Sequence, residues 1–367
     1  MRETRIFADA CRKQKPPCGI SRKKKFIFQW HITENCNLAC KHCYQDHHLE
    51  NTPALATLLA MLRQFYDLLT DLKNKGLARQ AHINLTGGEP FLNSDFMNLL
   101  EILHTRSQAS FAILTNGTLI DADTACHLQK LQPAYVQVSI EGGRETHDQI
   151  RGEGGLRKAA EGIRHLVAAG VPVSISFTAH RGNYKDFPDV VKLGRKLGVS
   201  RIWADRLIPC GSASSWTGDL LTPRETLAFF EIMKGSRRKK IPFRKDEQDI
   251  AMHRALQFMV GGGEPYHCSA GDTLITILPN GDVLPCRRMP VIAGNLFNQP
   301  LQEIYFESVF LRSLRDRSHV SRGCEKCFHM AFCRGGLRCL SYAVKGNPFY
   351  ADPGCWIADH PETAPAT

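Results

Sequence analysis

Long apolar runs are missing from this chain of 367 residues. No stretch approaches the ~20 consecutive apolar residues that span a bilayer. The charged N-terminus is not followed by the short apolar segment of a secretory signal either. These absences exclude a membrane-spanning protein and a secreted one, so we expect a cytoplasmic location.

Acidic residues are the scarcer charge: 36 Asp and Glu stand against 47 Lys and Arg, for a formal net charge of +11. Most of the excess is local, because residues 1–25 and residues 234–245 are strongly basic. Either run could attract an acidic peptide or a nucleic acid, although a solvated tail and a solvated loop are the simpler interpretation. Few aromatic residues accompany these runs, which disfavours a nucleic-acid interface.

Cysteine spacing of the disulfide type is also absent. The 14 cysteines belong to a long chain without a signal. Half of them are grouped at short spacings such as C-x2-C, which is typical of metal binding in the reducing cytosol. The isolated residues Cys11, Cys18 and Cys126 are most simply incidental or core thiols.

The first cysteine group lacks a fourth member. Cys36, Cys40 and Cys43 directly follow an apolar segment. A structural zinc site closes with four ligands, whereas a [4Fe–4S] cluster held by three cysteines leaves one iron open. We favour the open cluster. Zinc bound by Cys40, Cys43, His47 and His48 is the alternative, and it leaves Cys36 unused.

From residue 26 onward the pattern predicts a strand, a loop and a helix, repeated six times. The expected strands are 26–32, 82–86, 111–115, 135–140, 171–178 and 201–207. The first helix is expected to start with Thr52 as its cap and Pro53 in its first turn. Six such units predict an α/β fold, a partial (β/α)6 TIM-like barrel with its working groups at the C-terminal strand ends.

Composition divides the chain into four parts. Residues 1–25 are predicted as a flexible basic segment and residues 26–210 as the barrel core. Residues 211–267 form a connector with an expected helix near 250–260. Residues 268–360 are rich in cysteine, glycine and proline, so we expect a small domain held by metal rather than by a large apolar core.

Two groups of residues resemble the radical S-adenosylmethionine (SAM) superfamily. One is Cys36-x3-Cys40-x2-Cys43 after the first strand, and the other is the Gly87-Gly88-Glu89 loop after the second. The resemblance implies a [4Fe–4S] cluster on the three cysteines and SAM on its open iron. In this family a reduced cluster cleaves SAM to a 5′-deoxyadenosyl radical, which abstracts a substrate hydrogen.

The C-terminal cysteines resemble the SPASM extension of the same superfamily, which carries two auxiliary [4Fe–4S] clusters. The resemblance implies a distal cluster on Cys324, Cys327, Cys333 and Cys355. It implies a proximal cluster on Cys268, Cys286 and Cys339.

The proximal set departs from the family pattern. The family usually has its next cysteine at the position of Leu337, whereas this chain has Cys339 two residues later. No fourth proximal ligand is evident, so that cluster too would have an open iron, unless His267 or Cys210 closes it.

The resemblance also implies the residues that bind SAM. They are His42, Gly87, Gly88, Glu89, Ser139, Arg151 and Leu207. Glycines let backbone approach a ligand closely, and a carboxylate such as Glu89 accepts from the SAM ammonium. The Arg151 fork suits the SAM carboxylate, although Arg151 could instead pair with Asp148 or Glu153. Cys210 is a weak candidate for a catalytic hydrogen donor, with an inert thiol as the simpler interpretation.

These residues predict a peptide-modifying SPASM enzyme. It would install a crosslink or rearrangement, such as a thioether, in a ribosomally made peptide. A flavodoxin or ferredoxin type of protein would supply electrons. Leader recognition would fall to the basic runs or to a separate leader-binding protein, because residues 1–25 are too few for a binding domain.

Other functions stay open. One alternative is a maturase of a folded enzyme, which would form formylglycine in a sulfatase or a quinone cofactor. Anaerobic sulfatase-maturing enzymes carry a catalytic aspartate directly after the cysteine matched by Cys286. Arg287 stands there in this chain, which disfavours formylglycine chemistry. An RNA-modifying radical enzyme and a zinc-stapled nucleic-acid-binding module are the remaining alternatives.

Overall fold

A computed structural model describes residues 25–45, 52–237, 248–262 and 266–358. Several predicted features lie outside these ranges: residues 1–24 with Cys11 and Cys18, the pair His47 and His48, and most of the second basic run. None of the described helices is long and apolar enough to cross a membrane.

The core is one ten-stranded sheet, and its strand order is β10-β9-β8-β1-β2-β3-β4-β5-β6-β7. The strands are β1 (Lys25–His31), β2 (Gln80–Thr86), β3 (Ser110–Thr115), β4 (Val136–Ser139), β5 (Val173–Ala179), β6 (Arg201–Arg206), β7 (Asp249–Ala251), β8 (Leu274–Ile277), β9 (Asp282–Leu284) and β10 (Gly294–Asn295). In this order, every pair of neighbours between β8 and β7 is parallel. The pairs β8–β9 and β9–β10 are antiparallel. The six predicted strands are confirmed.

Two parallel strands flank the predicted six. β7 comes from the connector and β8 from the start of the cysteine-rich region. The prediction of a helix near 250–260 is wrong in its first half, because Ile250 lies in β7 beside Ile202. Ile250 is buried although β7 is the last strand of the sheet, and a short apolar run of this kind does not distinguish a strand from a buried helix.

Helices alternate with the strands. They are α1 (Leu55–Asn74), α2 (Phe96–Arg106), α3 (Ala122–Leu131), α4 (Arg144–Arg151), α5 (Gly155–Ala168), α6 (Phe187–Lys196), α7 (Pro223–Ser236), α8 (Phe258–Gly261), α9 (Leu301–Glu307), α10 (Val309–Arg315), α11 (Met330–Cys333) and α12 (Arg338–Lys345). The predicted cap of α1 is wrong, because Ala54 is its N-cap. The Thr52 hydroxyl instead hydrogen-bonds that of Thr33 at 2.7 Å.

The apolar face of α1 packs on β1. The rings of Phe28 and Phe65 stack with centroids 4.4 Å apart, and both residues are fully buried. Leucines at helical spacing place a continuous buried stripe along α1. This packing fixes β1, and therefore fixes the position of the cysteine loop that follows it.

Candidate active site

The C-terminal ends of the strands enclose a cavity with an empty volume of about 950 Å³, including its open mouth. Of the ten residues predicted for the first cluster and for SAM, all but Glu89 line it: Cys36, Cys40, His42, Cys43, Gly87, Gly88, Ser139, Arg151 and Leu207. The barrel places them there because parallel strands present their C-terminal loops on one side. Tyr44 and Thr178 are further lining residues to which the sequence assigned no role.

The two loop glycines pack against the cysteine loop itself. A Cβ on Gly87 would lie 2.1 Å from the Thr33 carbonyl oxygen, and one on Gly88 would lie 2.1 Å from that of Asn35. Backbone hydrogen bonds join the two loops, from Gly88 N to Thr33 O at 3.0 Å and from Glu89 N to Asn35 O at 2.7 Å. The glycines therefore fix the cysteine loop by close backbone contact, a reason that differs from the approach to a ligand predicted above.

Glu89 is fully buried behind the cavity wall. Its carboxylate accepts from the Thr115 hydroxyl at 2.7 Å and from the Asn116 amide at 2.8 Å. Burial raises the pKa of Glu89 to about 7, against these hydrogen bonds. The described contacts of this carboxylate are thus with the end of β3 and with the Phe91 backbone amide at 3.4 Å, and its predicted contact with SAM stays a prediction.

Arg151 has a partner that the sequence analysis did not name. Its guanidinium donates to one oxygen of Glu141, from Nη2 at 2.6 Å and from Nε at 3.1 Å. Nη1 points to the Cys40 sulfur at 3.6 Å. The suggested pairing of Arg151 with Asp148 or Glu153 is therefore wrong. Asp148 instead accepts from backbone amides that begin α5.

Glu141 organises this side of the cavity. It is fully buried, it accepts from the Thr178 amide at 2.9 Å, and its Oε1 lies 3.2 Å from His42 Nε2. Arg151 and His42 hold the pKa of Glu141 well below its usual range despite the burial. The sequence signal that could have identified Glu141 is its position, two residues after the end of β4 and ten residues before Arg151.

The four distal cysteines lie around a small cavity with an empty volume of about 280 Å³. Cys324, Cys327, Cys333 and Cys355 all line it. Burial raises the pKa of the Cys324 and Cys333 thiols to about 12, so four thiolates here need positive charge to offset their burial. Asp352, in the same wall, forms an ion pair with Arg206 at the end of β6.

The three proximal cysteines also come together. A hydrogen bond with Cys339 lowers the pKa of the Cys286 thiol. Cys268 lies close enough to interact electrostatically with the other two, because it helps to raise the pKa of Cys339 and Cys286 helps to raise the pKa of Cys268. His267, a suggested fourth ligand, lies 3.7 Å from Asp272. Cys210 packs against the apolar core. It is not one of the described residues that line the cavity. Its role and the identity of a fourth ligand stay predictions.

This donor chemistry fits iron–sulfur clusters. Thiolates are the ligands that such clusters use. Among the described residues, no three His, Cys, Asp or Glu side chains are placed to hold a single metal ion. A cubane spreads its ligands over four irons, so cysteines around a cavity suit it. Barrel and cysteine sets together define an enzyme that holds its cofactors at the C-terminal strand ends and in an appended cysteine-rich region.

Comparisons with known proteins agree with this class. Residues 30–194 match the model of the radical SAM superfamily, and residues 268–328 match the SPASM iron–sulfur cluster-binding domain. The two matched stretches cover more than half of the chain. The chain belongs to the radical SAM superfamily, and it is an enzyme whose cofactors are SAM and iron–sulfur clusters.

Two named relatives and one solved structure are similar to this chain over most of its length. The AdoMet-dependent heme synthase of Nitratidesulfovibrio vulgaris is 28% identical over 348 residues, which cover 90% of this chain and 91% of that protein. The mycofactocin maturase MftC of Mycobacterium tuberculosis is 28% identical over 346 residues, which cover 91% and 83%. The structure of Streptococcus suis SuiB bound to its precursor peptide SuiA superposes with a TM-score of 0.68 at 18% identity, covering 91% of this chain and 76% of that one.

Proposed function

We propose that this radical SAM enzyme modifies a ribosomally made peptide, forming a crosslink or rearrangement such as a thioether. The observation that carries the proposal is the convergence of three cysteines, two glycines and Arg151 on one cavity. The turn that follows the proximal ligand Cys286 lines this cavity as well, through Arg287 and Arg288. Substrate chemistry and the proximal cysteines would therefore be neighbours.

Cys36, Cys40 and Cys43 would hold the first cluster, and Gly87, Gly88, Ser139, Arg151 and Leu207 would surround SAM. When bound, these cofactors supply a 5′-deoxyadenosyl radical that abstracts hydrogen. The protein contributes position and charge. Leu207 is 2% exposed and offers an apolar surface for adenine. Ser139 lines the cavity with its hydroxyl 3.4 Å from that of Ser176, so it presents a polar group to the ligand.

A peptide substrate is supported by the relatives and by the proximal cysteines. One of the relatives is a named maturase, and SuiB was solved with a precursor peptide. Cys268, Cys286 and Cys339 leave one position open in a cubane cluster, where a substrate cysteine thiolate could bind. A flavodoxin or ferredoxin type of reductant and a separate leader-binding protein complete the proposal.

A tetrapyrrole is the second candidate substrate. A relative at 28% identity over most of both chains is a heme synthase. The cavity lining contains Arg151, Arg287 and Arg288 and, among the described residues, no Asp or Glu. Cationic walls suit a ligand that carries several carboxylates. This observation favours a polycarboxylate in the same cavity.

Anaerobic purification tests the proposal directly. We expect about twelve irons per chain for three [4Fe–4S] clusters, and release of 5′-deoxyadenosine from SAM on reduction. Cys36→Ala should abolish this release. Cys126→Ala should retain it, because Cys126 lies exposed on α3; the prediction of a core thiol there is wrong. Zinc without charge-transfer absorbance, or release that survives Cys36→Ala, would contradict the assignment. Co-production with a short cysteine-containing peptide tests the substrate. The mass of the peptide, measured by mass spectrometry, should show a loss of hydrogen.

A further inference from the structure

A tight turn carries two adjacent arginines into the barrel. The Met289 amide donates to the Cys286 carbonyl at 2.9 Å, so Arg287 and Arg288 occupy the two central positions of the turn. Both arginines line the cavity at the C-terminal strand ends. A residue pair from the cysteine-rich region is thereby inserted among the barrel strands, next to a proximal cluster ligand.

Arg287 lies where two cavities meet. The second cavity, with an empty volume of about 1190 Å³, is lined by residues near the N-terminal strand ends, such as Lys25 and Arg201. Arg287, Leu114 and Gln137 line both cavities. The Arg287 guanidinium carbon lies 5.3 Å from the centre of the Tyr44 ring, in the cysteine loop. A ligand entering from either side would meet this side chain.

Among the described residues, Arg287 has no carboxylate counterion. Asp205 is shared by its two neighbours, Arg288 at 2.8 Å and Arg254 at 3.2 Å. No described carboxylate oxygen lies within the 4.0 Å of an ion pair from the Arg287 guanidinium. A cation in a confined space without an anion costs free energy, so sites that retain one usually bind an anionic group.

The second cavity adds more positive charge. Its lining includes Lys25, Arg201, Arg254 and Arg287 and, within the described part of the chain, no Asp or Glu. Arg254 stacks on Trp203 with its guanidinium carbon 3.8 Å from the ring centre. Stacking holds the guanidinium plane, and one edge of it donates to Asp205 at 3.2 Å. Arg201 likewise pairs with Asp249. Among the described residues, Arg287 is therefore the arginine of this lining that has no carboxylate partner and can bind one from a ligand.

We propose that Arg287 binds a carboxylate of the substrate, in a bidentate pair that anchors the molecule inside the barrel beside the proximal cysteines. The inference rests on the proposed function and names the chemistry shared by its two candidate substrates. An acidic peptide presents carboxylates on Asp, Glu or its C-terminus, and a tetrapyrrole presents them on its propionates. A planar guanidinium fork matches the two carboxylate oxygens in either case.

Equilibrium binding to the anaerobic holoenzyme tests the inference with two matched probe pairs. One pair is coproporphyrin III and its tetramethyl ester, and the other is hexaglutamate and hexaglutamine. The variants are Arg287→Gln, Arg287→Met and Arg287→Lys. Arg157→Gln is the control, because it removes the same charge from an exposed site on α5. The iron content of each variant is measured. All binding is measured at one fixed salt concentration.

We expect at least one carboxylate probe to bind the wild-type protein at least tenfold more tightly than its neutral counterpart. Arg287→Gln and Arg287→Met should remove that advantage, Arg287→Lys should keep part of it, and Arg157→Gln should keep all of it. The pair that responds identifies the source of the carboxylate. The inference is overturned if neither probe pair discriminates, or if the Gln and Met variants bind as the wild type does.

Loss of iron from both neutral variants would also overturn it, because Arg287 would then have a structural role. The proposed function is measured separately by release of 5′-deoxyadenosine from the wild-type enzyme. If that release occurs and the probes fail to discriminate, only the carboxylate site is wrong. If that release does not occur, the proposed function is wrong whatever the probes do.

Discussion

Arg206 and Asp352 form a bidentate ion pair, with Nη1–Oδ1 at 2.7 Å and Nη2–Oδ2 at 2.6 Å. Both residues are buried. Asp352 also accepts from the backbone amides of Leu337 and Gly354, each at 2.9 Å. One carboxylate thus joins the last predicted barrel strand to the loops that carry the distal cysteines.

Asp352→Asn should remove the distal cluster and destabilise the protein. Breaking a buried pair leaves Arg206 uncompensated, which costs about 3–5 kcal/mol, and the wall around Cys333 and Cys355 loses its anchor. We expect the iron content to fall by about one third, since one of three clusters is lost. Asp249→Asn is the matched control, because its ion pair with Arg201 is about half-exposed; equal iron in both variants would contradict the prediction.

Gly88→Ala should disturb the cysteine loop. The new methyl group would lie 2.1 Å from the Asn35 carbonyl oxygen, and overpacking of this kind costs about 1–3 kcal/mol. We expect a lower melting temperature and poor assembly of the first cluster, measured by iron content and 5′-deoxyadenosine release. Gly143→Ala has open space around the added atom and an ordinary φ of −65°, so it should behave as the wild type. Normal cluster assembly in Gly88→Ala would show that the contact relaxes.

Glu141→Gln should weaken SAM binding. A neutral amide holds Arg151 and His42 less firmly than a carboxylate does, because charge-assisted hydrogen bonds are about twice as strong as neutral ones. We expect the dissociation constant of SAM to rise roughly tenfold, for a loss of about 1.4 kcal/mol, as measured by calorimetry under anaerobic conditions. Glu101→Gln, at the exposed pair with His127, is the control. Unchanged SAM affinity in Glu141→Gln would separate this carboxylate from the site.

His82 should make stability depend on pH. Burial and the nearby Lys25 lower the pKa of His82 to about 4, whereas an unfolded histidine titrates near 6.5. The folded form therefore binds fewer protons, and stability falls as the pH drops below 6.5. Between pH 7.5 and 5.5 the wild type should lose about 1.4 kcal/mol more than His82→Asn.

Denaturant unfolding of both proteins at the two pH values checks this prediction. In His82→Asn the amide can keep the hydrogen bond that His82 Nδ1 makes with Ser110 Oγ at 2.8 Å. Identical pH dependence in the two proteins would mean that His82 is protonated in the folded state.

The barrel was predictable because each strand carries its own local signal. Apolar runs such as 111–115 end in turn residues and are followed by helical periodicity. β7 was not predictable, since Asp249–Ala251 is too short to have a pattern of its own. It becomes a strand by pairing with β6. Tertiary pairing here overrides local preference.

The ligand cysteines were predictable because their spacing is a chemical requirement that can be seen in sequence. The ion pair of Arg151 was not, because nothing in the sequence shows that Arg151 pairs with Glu141 rather than with Asp148 or Glu153. The surroundings of Arg287 were not either, because they depend on residues that are far apart in the chain. Glu141 is identified as the partner of Arg151 only from the positions of the two side chains in the structure. Arg287 stood out only as a departure from a motif, and its lack of a counterion required the positions of Asp205 and its other neighbours.

The pairing of β8 with β1 bears on how the chain folds during synthesis. Gln29 and Thr276 are hydrogen-bonded at 3.1 Å although 247 residues separate them. The edge of the first strand therefore stays unpaired until the ribosome has made most of the protein, and contacts of such long range slow folding. A nascent chain would carry an exposed strand edge throughout that interval, which is the kind of surface that chaperones protect from aggregation.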